Sequence, residues 1–146
     1  MKIRIKEMKR SHINEVLKIE KDSFKNNAWD ERFFLYILND KSNFAYVFQD
    51  DDAIIGYIIA HVFRPWATIL NIAVRKRSRR QGYAQILINF IKEKLKGEQC
   101  HEVFLEVRKS NVKAKNLYKK LGFQFLNTVI QYYENGEDAL VMGKII

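Results

Sequence analysis

Five positive charges stand within six residues at Arg75, Lys76, Arg77, Arg79 and Arg80, between an apolar segment ending at Val74 and the glycine Gly82. A strand, a basic glycine-containing turn and a helix, in that order, can hold an anion. The first amides of a helix lack intrahelical partners and lie at the positive end of its dipole. The run has neither the Gly-Lys-Ser/Thr ending of a Walker loop nor the spacing of a dinucleotide fingerprint, and the same charges also suit a solvated turn. Glu106 alternates with the apolar row Val103, Leu105 and Val107. It is a general base if its face opens on a cleft, and an ordinary surface glutamate otherwise. Asn111 and Tyr118 are two helical turns apart on one side, although Tyr118 also falls in an apolar stripe where a core tyrosine fits. Cys100 is a weaker candidate: an acyl-enzyme route needs an activated thiolate, and His101, next to it on a strand, points to the opposite face. His12, His61 and His101 share no ligand spacing with one another or with Cys100, so no metal site is expected.

The chain that must position these groups has 146 residues, 47% hydrophobic and 13% aromatic, with 26 Lys+Arg against 17 Asp+Glu and a net charge of +9. That is one domain, 1–146, with enough apolar stock to fold. More than half of the excess charge is the one basic run. A single cysteine excludes an internal disulfide framework, and with no leader pattern at the start a reducing cytoplasm is the expected location. No apolar run approaches the roughly 20 residues of a membrane span, so no membrane partner is expected.

Alternation at Ile3 and Ile5 predicts a strand. Ser11 reads as the cap of a helix bearing Ile13, Val16, Leu17, Glu20 and Phe24, an apolar face with one polar interruption. Asn26-Asn27 breaks it. Asp30, flanked by Trp29 and Phe34, reads as the cap and hydrophobic staple of a second helix. Phe44–Phe48 and Ala53–Phe63 form a hairpin with Gly56 as a possible bulge, and Arg64-Pro65-Trp66 turns into a strand over Ala67–Val74. A helix then runs from Tyr83 to a C-terminal glycine at Gly97. A strand covers Val103–Arg108, and a helix capped at Ser110-Asn111 ends at Gly122. Phe123–Tyr133 and Ala139–Met142 make a closing hairpin. The order β-α-α-β-β-β-α-β-α-β-β predicts an α/β (α+β) fold, a single mixed, mostly antiparallel sheet flanked by about four helices.

The stretch Arg77-Ser78-Arg79-Arg80-Gln81-Gly82-Tyr83-Ala84 resembles the Q/R-x-x-G-x-G/A loop of the GNAT acetyltransferases. Leu105 to Asn111, Leu117-Tyr118, Leu121-Gly122-Phe123, Tyr132-Tyr133 and Glu137 to Met142 resemble the ribosomal-protein-alanine N-acetyltransferases and archaeal N-terminal acetyltransferases. The resemblance spans nearly the whole chain and is strongest from Asn71 to Met142. Two positions depart from it: Ala84 stands where many members have the last glycine, and Arg75-Lys76-Arg77 replaces a turn that is often acidic or proline-containing.

The resemblance implies acetyl transfer from acetyl-CoA, without a metal, to a protein N-terminal amine, most readily that of a ribosomal protein. It implies backbone contacts from Ile72, Ala73 and Val74 to the acetyl-pantetheine arm. Arg79 belongs to the same loop, and Arg80, Gln81, Gly82, Tyr83, Ala84 and Gln85 hold the pyrophosphate. Asn111 and Tyr118 also touch the cofactor, Glu106 is the general base and Tyr118 the general acid. Tyr132 and Tyr133 line a peptide entrance opposite Phe24 and Trp29. The chemistry agrees: an α-amine has a reference pKa of about 7.7–8.0 against about 10.4 for lysine, so near pH 7 roughly a tenth is already neutral and one carboxylate suffices. The alternatives are a GNAT acting on lysine or a small amine, and a non-catalytic basic module bound to ribosomes or RNA. Direct nucleic-acid contact is not expected, and the expected state is a monomer or weak dimer.

Overall fold

A computed structural model describes residues 3–146 of the chain. Seven strands form one sheet: β1 (Ile3–Glu7), β2 (Asn43–Asp50), β3 (Ala53–Phe63), β4 (Trp66–Val74), β5 (Glu102–Arg108), β6 (Gln124–Val129) and β7 (Ala139–Ile145). Four α-helices accompany them: α1 (Ile13–Phe24), α2 (Glu31–Asn39), α3 (Tyr83–Gly97) and α4 (Val112–Lys120). The sheet order is β1-β2-β3-β4-β5-β7-β6, antiparallel throughout except for the β4–β5 pair. The element order and the mixed sheet are those read from the sequence.

Alternation along the strands sorts side chains to two cores. Phe48, Ile55, Ile58, Val103, Leu105 and Val107 pack with Leu87, Ile88, Ile91 and Leu95 of α3 on one face. Val47, Tyr57, Ile59 and Ala73 pack with Val16, Ile19, Phe34 and Ile37 of α1 and α2 on the other. Asp30 caps α2, its Oδ1 accepting the Phe33 amide proton at 2.9 Å, and Trp29 meets Phe34 edge-on at 5.3 Å. Asn111 caps α4 by accepting from the Ala114 amide at 3.1 Å. No helix of the described residues is long and apolar enough to cross a membrane.

Four local expectations change. Ser11 caps nothing: it lies in a short 3-10 turn, Arg10–His12, and α1 starts after His12, which makes no side-chain cap bond. The α3 helix runs through Gly97, and the left-handed reversal comes at Gln99 (φ 66°), where the Cys100 amide closes onto the Leu95 carbonyl at 3.0 Å. The bulge beside Gly56 is Ile55, the extra β3 residue between partners of Phe48 and Gln49. Gly56 itself is demanded by close approach, since a Cβ there would lie 2.9 Å from the Ala73 carbonyl oxygen. Finally, β6 stops at Val129 and β7 continues to Ile145, past Met142. Gln131 turns at φ 54° and donates its amide to Asp138 Oδ1 at 3.0 Å, so Tyr132 and Tyr133 stand in a loop and not on a strand.

Candidate active site

The parallel β4–β5 ladder holds only three residue pairs, Trp66 with Glu102, Ala67 with Val103 and Thr68 with Phe104. Immediately beyond, Leu70 is an extra residue on β4, because Ile59 faces Asn71 while Ala60 faces Ile69. Such a bulge bends and twists its strand, and here it turns β4 away from β5. The sheet parts, leaving a cleft of about 750 Å³ between the C-terminal halves of the two strands.

The cleft gathers many of the residues singled out in the sequence. Glu106, Tyr118, Asn111, Ile72, Tyr132, Tyr133, Phe24 and Trp29 all line it. Glu106 is exposed between the buried Leu105 and Val107 and therefore faces the α1/α2 side of the sheet. Tyr118 reaches the cleft from the other side, packed with the α3-side core and edge-on to Phe123 at 5.8 Å. Its hydroxyl has no hydrogen-bond partner among the described residues, and burial pushes its pKa up to about 12. Tyr132 faces the Glu106 carboxylate, whose hydrogen bond and charge, together with burial, hold that phenol at about 12 as well. Burial first, then Glu106, also raises Tyr133.

The basic loop lies beside this cleft and is not part of its lining. Gly82 occupies the N-cap of α3 in the left-handed region (φ 80°) and supplies no side-chain cap, so the first amides of the helix stay available. A Cβ at Gly82 would meet nothing within 4 Å, so conformation and not crowding selects glycine there. Arg80 is also left-handed, at φ 64°. The neighbouring arginines differ in their engagements. Arg79 donates from Nε to the Val74 carbonyl at 2.8 Å and from Nη2 to Ser23 Oγ at 3.0 Å, bracing β4 against the end of α1. Arg75 Nε donates to Ser78 Oγ at 2.7 Å. Ala73 and Val74 are buried.

Cys100 is 2% exposed with its thiol against the Trp66 carbonyl, and burial pushes its pKa up, the reverse of what a nucleophile needs. Among the described residues no three metal-ligating side chains come together.

The cleft also contains residues to which the sequence reading gave no role. Glu20 is 1% exposed, and Asn71 and Arg108 join it in the lining. The signal for Glu20 was its place on the apolar stripe of α1, where a carboxylate is out of pattern.

A sheet parted between two parallel strands, with a basic loop feeding an uncapped helix beside the gap and a glutamate and a tyrosine lining it, is the arrangement of an acyl-transfer enzyme of the GNAT type. Residues 13–123 match the acetyltransferase (GNAT) family, and the chain belongs to it. The chain is 30% identical to the N-alpha-acetyltransferase of Sulfurisphaera tokodaii, over 96% of its own length and 91% of that protein's. It is 33% identical to the ribosomal protein bS18-alanine N-acetyltransferase of Haemophilus ducreyi, over 66% and 69% of the two chains. The crystal structure of the Escherichia coli ribosomal-protein-S18-alanine N-acetyltransferase superposes with a TM-score of 0.90 at 26% identity, covering 99% of this chain and 94% of that one.

Proposed function

We propose that this enzyme transfers the acetyl group of acetyl-CoA to the α-amine of a protein N-terminus, with a ribosomal protein as substrate, in the cytoplasm. The observation that carries the reading is the parted sheet, with Glu106 on one face of the gap and the unpartnered Tyr118 hydroxyl on the other. The names of the relatives supply the substrate class.

The chain fits a coenzyme with a phosphate tail. Beyond Thr68 the β4 edge has lost its β5 partner, so backbone groups around Ile72 are available to an amide-bearing arm, while Ala73 and Val74 keep their pairing to β3. The free amides from Gly82 to Gln85 and the Arg80 side chain, next to that edge, suit a pyrophosphate.

Glu106 takes a proton from the incoming amine, directly or through one water, and Tyr118 gives its proton to the departing thiolate. The two groups act from opposite sides of the gap, so amine and leaving group never compete for one residue. Tyr118 is suited to donation because burial keeps it protonated far above neutral pH. Tyr132 and Tyr133, with the Phe24–Trp29 segment across from them, form the walls along which a peptide enters.

Incubation with acetyl-CoA and peptides differing only in their first residues, with thiol release followed and the acetyl group located by mass, tests this reading. Acetyl on the N-terminal nitrogen is expected. Acetyl confined to lysine side chains overturns it.

A further inference from the structure

Glu20 is a carboxylate inside a hydrophobic core, 1% exposed, on the face of α1 that also buries Ile13, Val16 and Ile19. No cation pairs with it among the described residues. Instead, three donors from three separate elements converge on it. Tyr57 Oη of β3 donates to Oε1 at 2.5 Å, Asn71 Nδ2 of β4 donates to Oε1 at 2.8 Å, and the Trp29 amide, just before α2, donates to Oε2 at 2.9 Å. Burial and the Glu20 charge raise the Tyr57 phenol, so it remains a donor.

An apolar residue would fill that position at lower cost, so the carboxylate is held there by what it joins. It ties the start of α2 to the strand segment, Asn71, that flanks the parted gap. A second tether lies one turn on, where Arg79 links Ser23 of α1 to the Val74 carbonyl of β4. Between these two points the chain leaves α1 through Lys25, a non-glycine residue at φ 51°, a conformation that persists only where its surroundings hold it. The segment so held, Phe24–Trp29, is one wall of the cleft.

We infer that Glu20 is a positioning residue that fixes the Phe24–Trp29 wall to β4 and thereby sets how tightly and how selectively the cleft accepts the first residues of a peptide. Peptide entry rests on the N-terminal acetylation reading, whereas the tether is a property of the chain alone. Glu20 does not touch the reacting atoms. Its loss acts on peptide binding and leaves the chemical step and the coenzyme site intact.

Two variants of the full-length enzyme test this. Glu20→Gln keeps the volume but offers one acceptor oxygen where three donors converge. Glu20→Leu combined with Tyr57→Phe removes the buried charge together with its hydroxyl donor but leaves the Asn71 amide and the Trp29 N–H without their acceptor, so some stability is lost and a denaturant melt checks that the variant is folded under assay conditions. Hydrogen exchange of the free protein is expected to quicken at the Trp29 amide and across residues 25–29 in both variants, most in the double one. Peptide KM is expected to rise at least about tenfold, with selectivity among first residues reduced, while kcat and acetyl-CoA affinity change less than about twofold. Unchanged exchange at residues 25–29 overturns the inference, as does a fall in kcat at constant KM, which would place Glu20 in the chemistry. If the wild-type enzyme acetylates no α-amine yet the exchange still responds, the tether stands and the N-terminal reading falls.

Discussion

Arg108 sits over the Tyr133 ring, its guanidinium carbon 3.9 Å from the ring centroid, while its Nη1 reaches the Glu137 carboxylate at 3.3 Å. Glu137 also accepts the Ser110 amide proton at 2.7 Å, and the Ser110 and Arg108 bonds hold its carboxyl below the usual range. Since β6 ends at Val129, no ladder holds the tyrosine loop, and this clamp takes its place.

Arg108→Ala is therefore expected to raise peptide KM on the order of tenfold, from the lost cation–π contact and partly desolvated ion pair, without changing acetyl-CoA affinity. Arg108→Lys recovers only part of the loss, because an ammonium cannot stack on the ring and bridge to the carboxylate in one plane. Steady-state kinetics with peptide varied, alongside calorimetric titration of acetyl-CoA, checks both. A wild-type KM in Arg108→Ala would show that the loop stands without the clamp.

Tyr118→Phe separates acid catalysis from packing. The hydroxyl has no hydrogen bond to lose among the described residues, so the melting temperature is expected to stay the same or rise slightly. The turnover number is expected to fall about 10²–10³-fold, the range of a positioned proton donor, with acetyl-CoA affinity kept within about twofold. A rate within a few-fold of wild type removes Tyr118 from the acid role.

Period and capping made most of this fold legible in the sequence, because the strands alternate against two cores and Asp30, Asn111 and Gly122 act as local signals. The failures came where tertiary contacts overrode local chemistry. Gly97 looked like a terminator, but the helix turns at Gln99 as Cys100 enters the core. The aromatic run to Tyr133 looked like strand, but the Asp138 carboxylate accepting from the Gln131 amide and the Glu137 carbonyl accepting from the Tyr133 amide fold it into a loop. The cleft lining was legible for Glu106 and Tyr118, whereas Glu20 showed only as a polar break in an apolar stripe and Asn71 and Arg108 carried no assigned role. Their roles come from contacts between elements far apart in sequence, Glu20 with Asn71 and Arg108 with Glu137. The gap itself depends on one extra residue, Leu70, which no motif marks.

Arg79 and Arg80 are adjacent yet are expected to fail differently. Arg79→Ala removes the bridge between Val74 and Ser23 and is expected to lower stability by about 1–2 kcal/mol, leaving a buried-edge carbonyl without its donor. Arg80→Gly relieves a left-handed non-glycine residue and is expected to leave stability equal or higher by about 1 kcal/mol. The same change weakens acetyl-CoA binding, more at low than at high salt, since the contact is electrostatic. Denaturant melts and titrations at two ionic strengths separate the pair, and equal stability losses for both would contradict the assigned roles.

The pH profile follows from the two proposed proton transfers. A peptide α-amine becomes neutral near pH 7.7–8.0, so kcat/KM is expected to rise about tenfold per pH unit below 7 and level off above 8. Burial holds the Tyr118 proton to about pH 12, so no falling limb is expected between pH 8 and 10. Lowered activity in that window would mean an acid with a much lower pKa. The same shift has a stability consequence. The folded-state pKa of about 12 lies above the unfolded value near 10, so the buried neutral phenol contributes stability that is full below pH 10 and is lost as pH climbs toward 12. Tyr118→Phe carries no such proton and is expected to lose less stability over that interval, which denaturant melts at pH 9 and pH 11 would read directly.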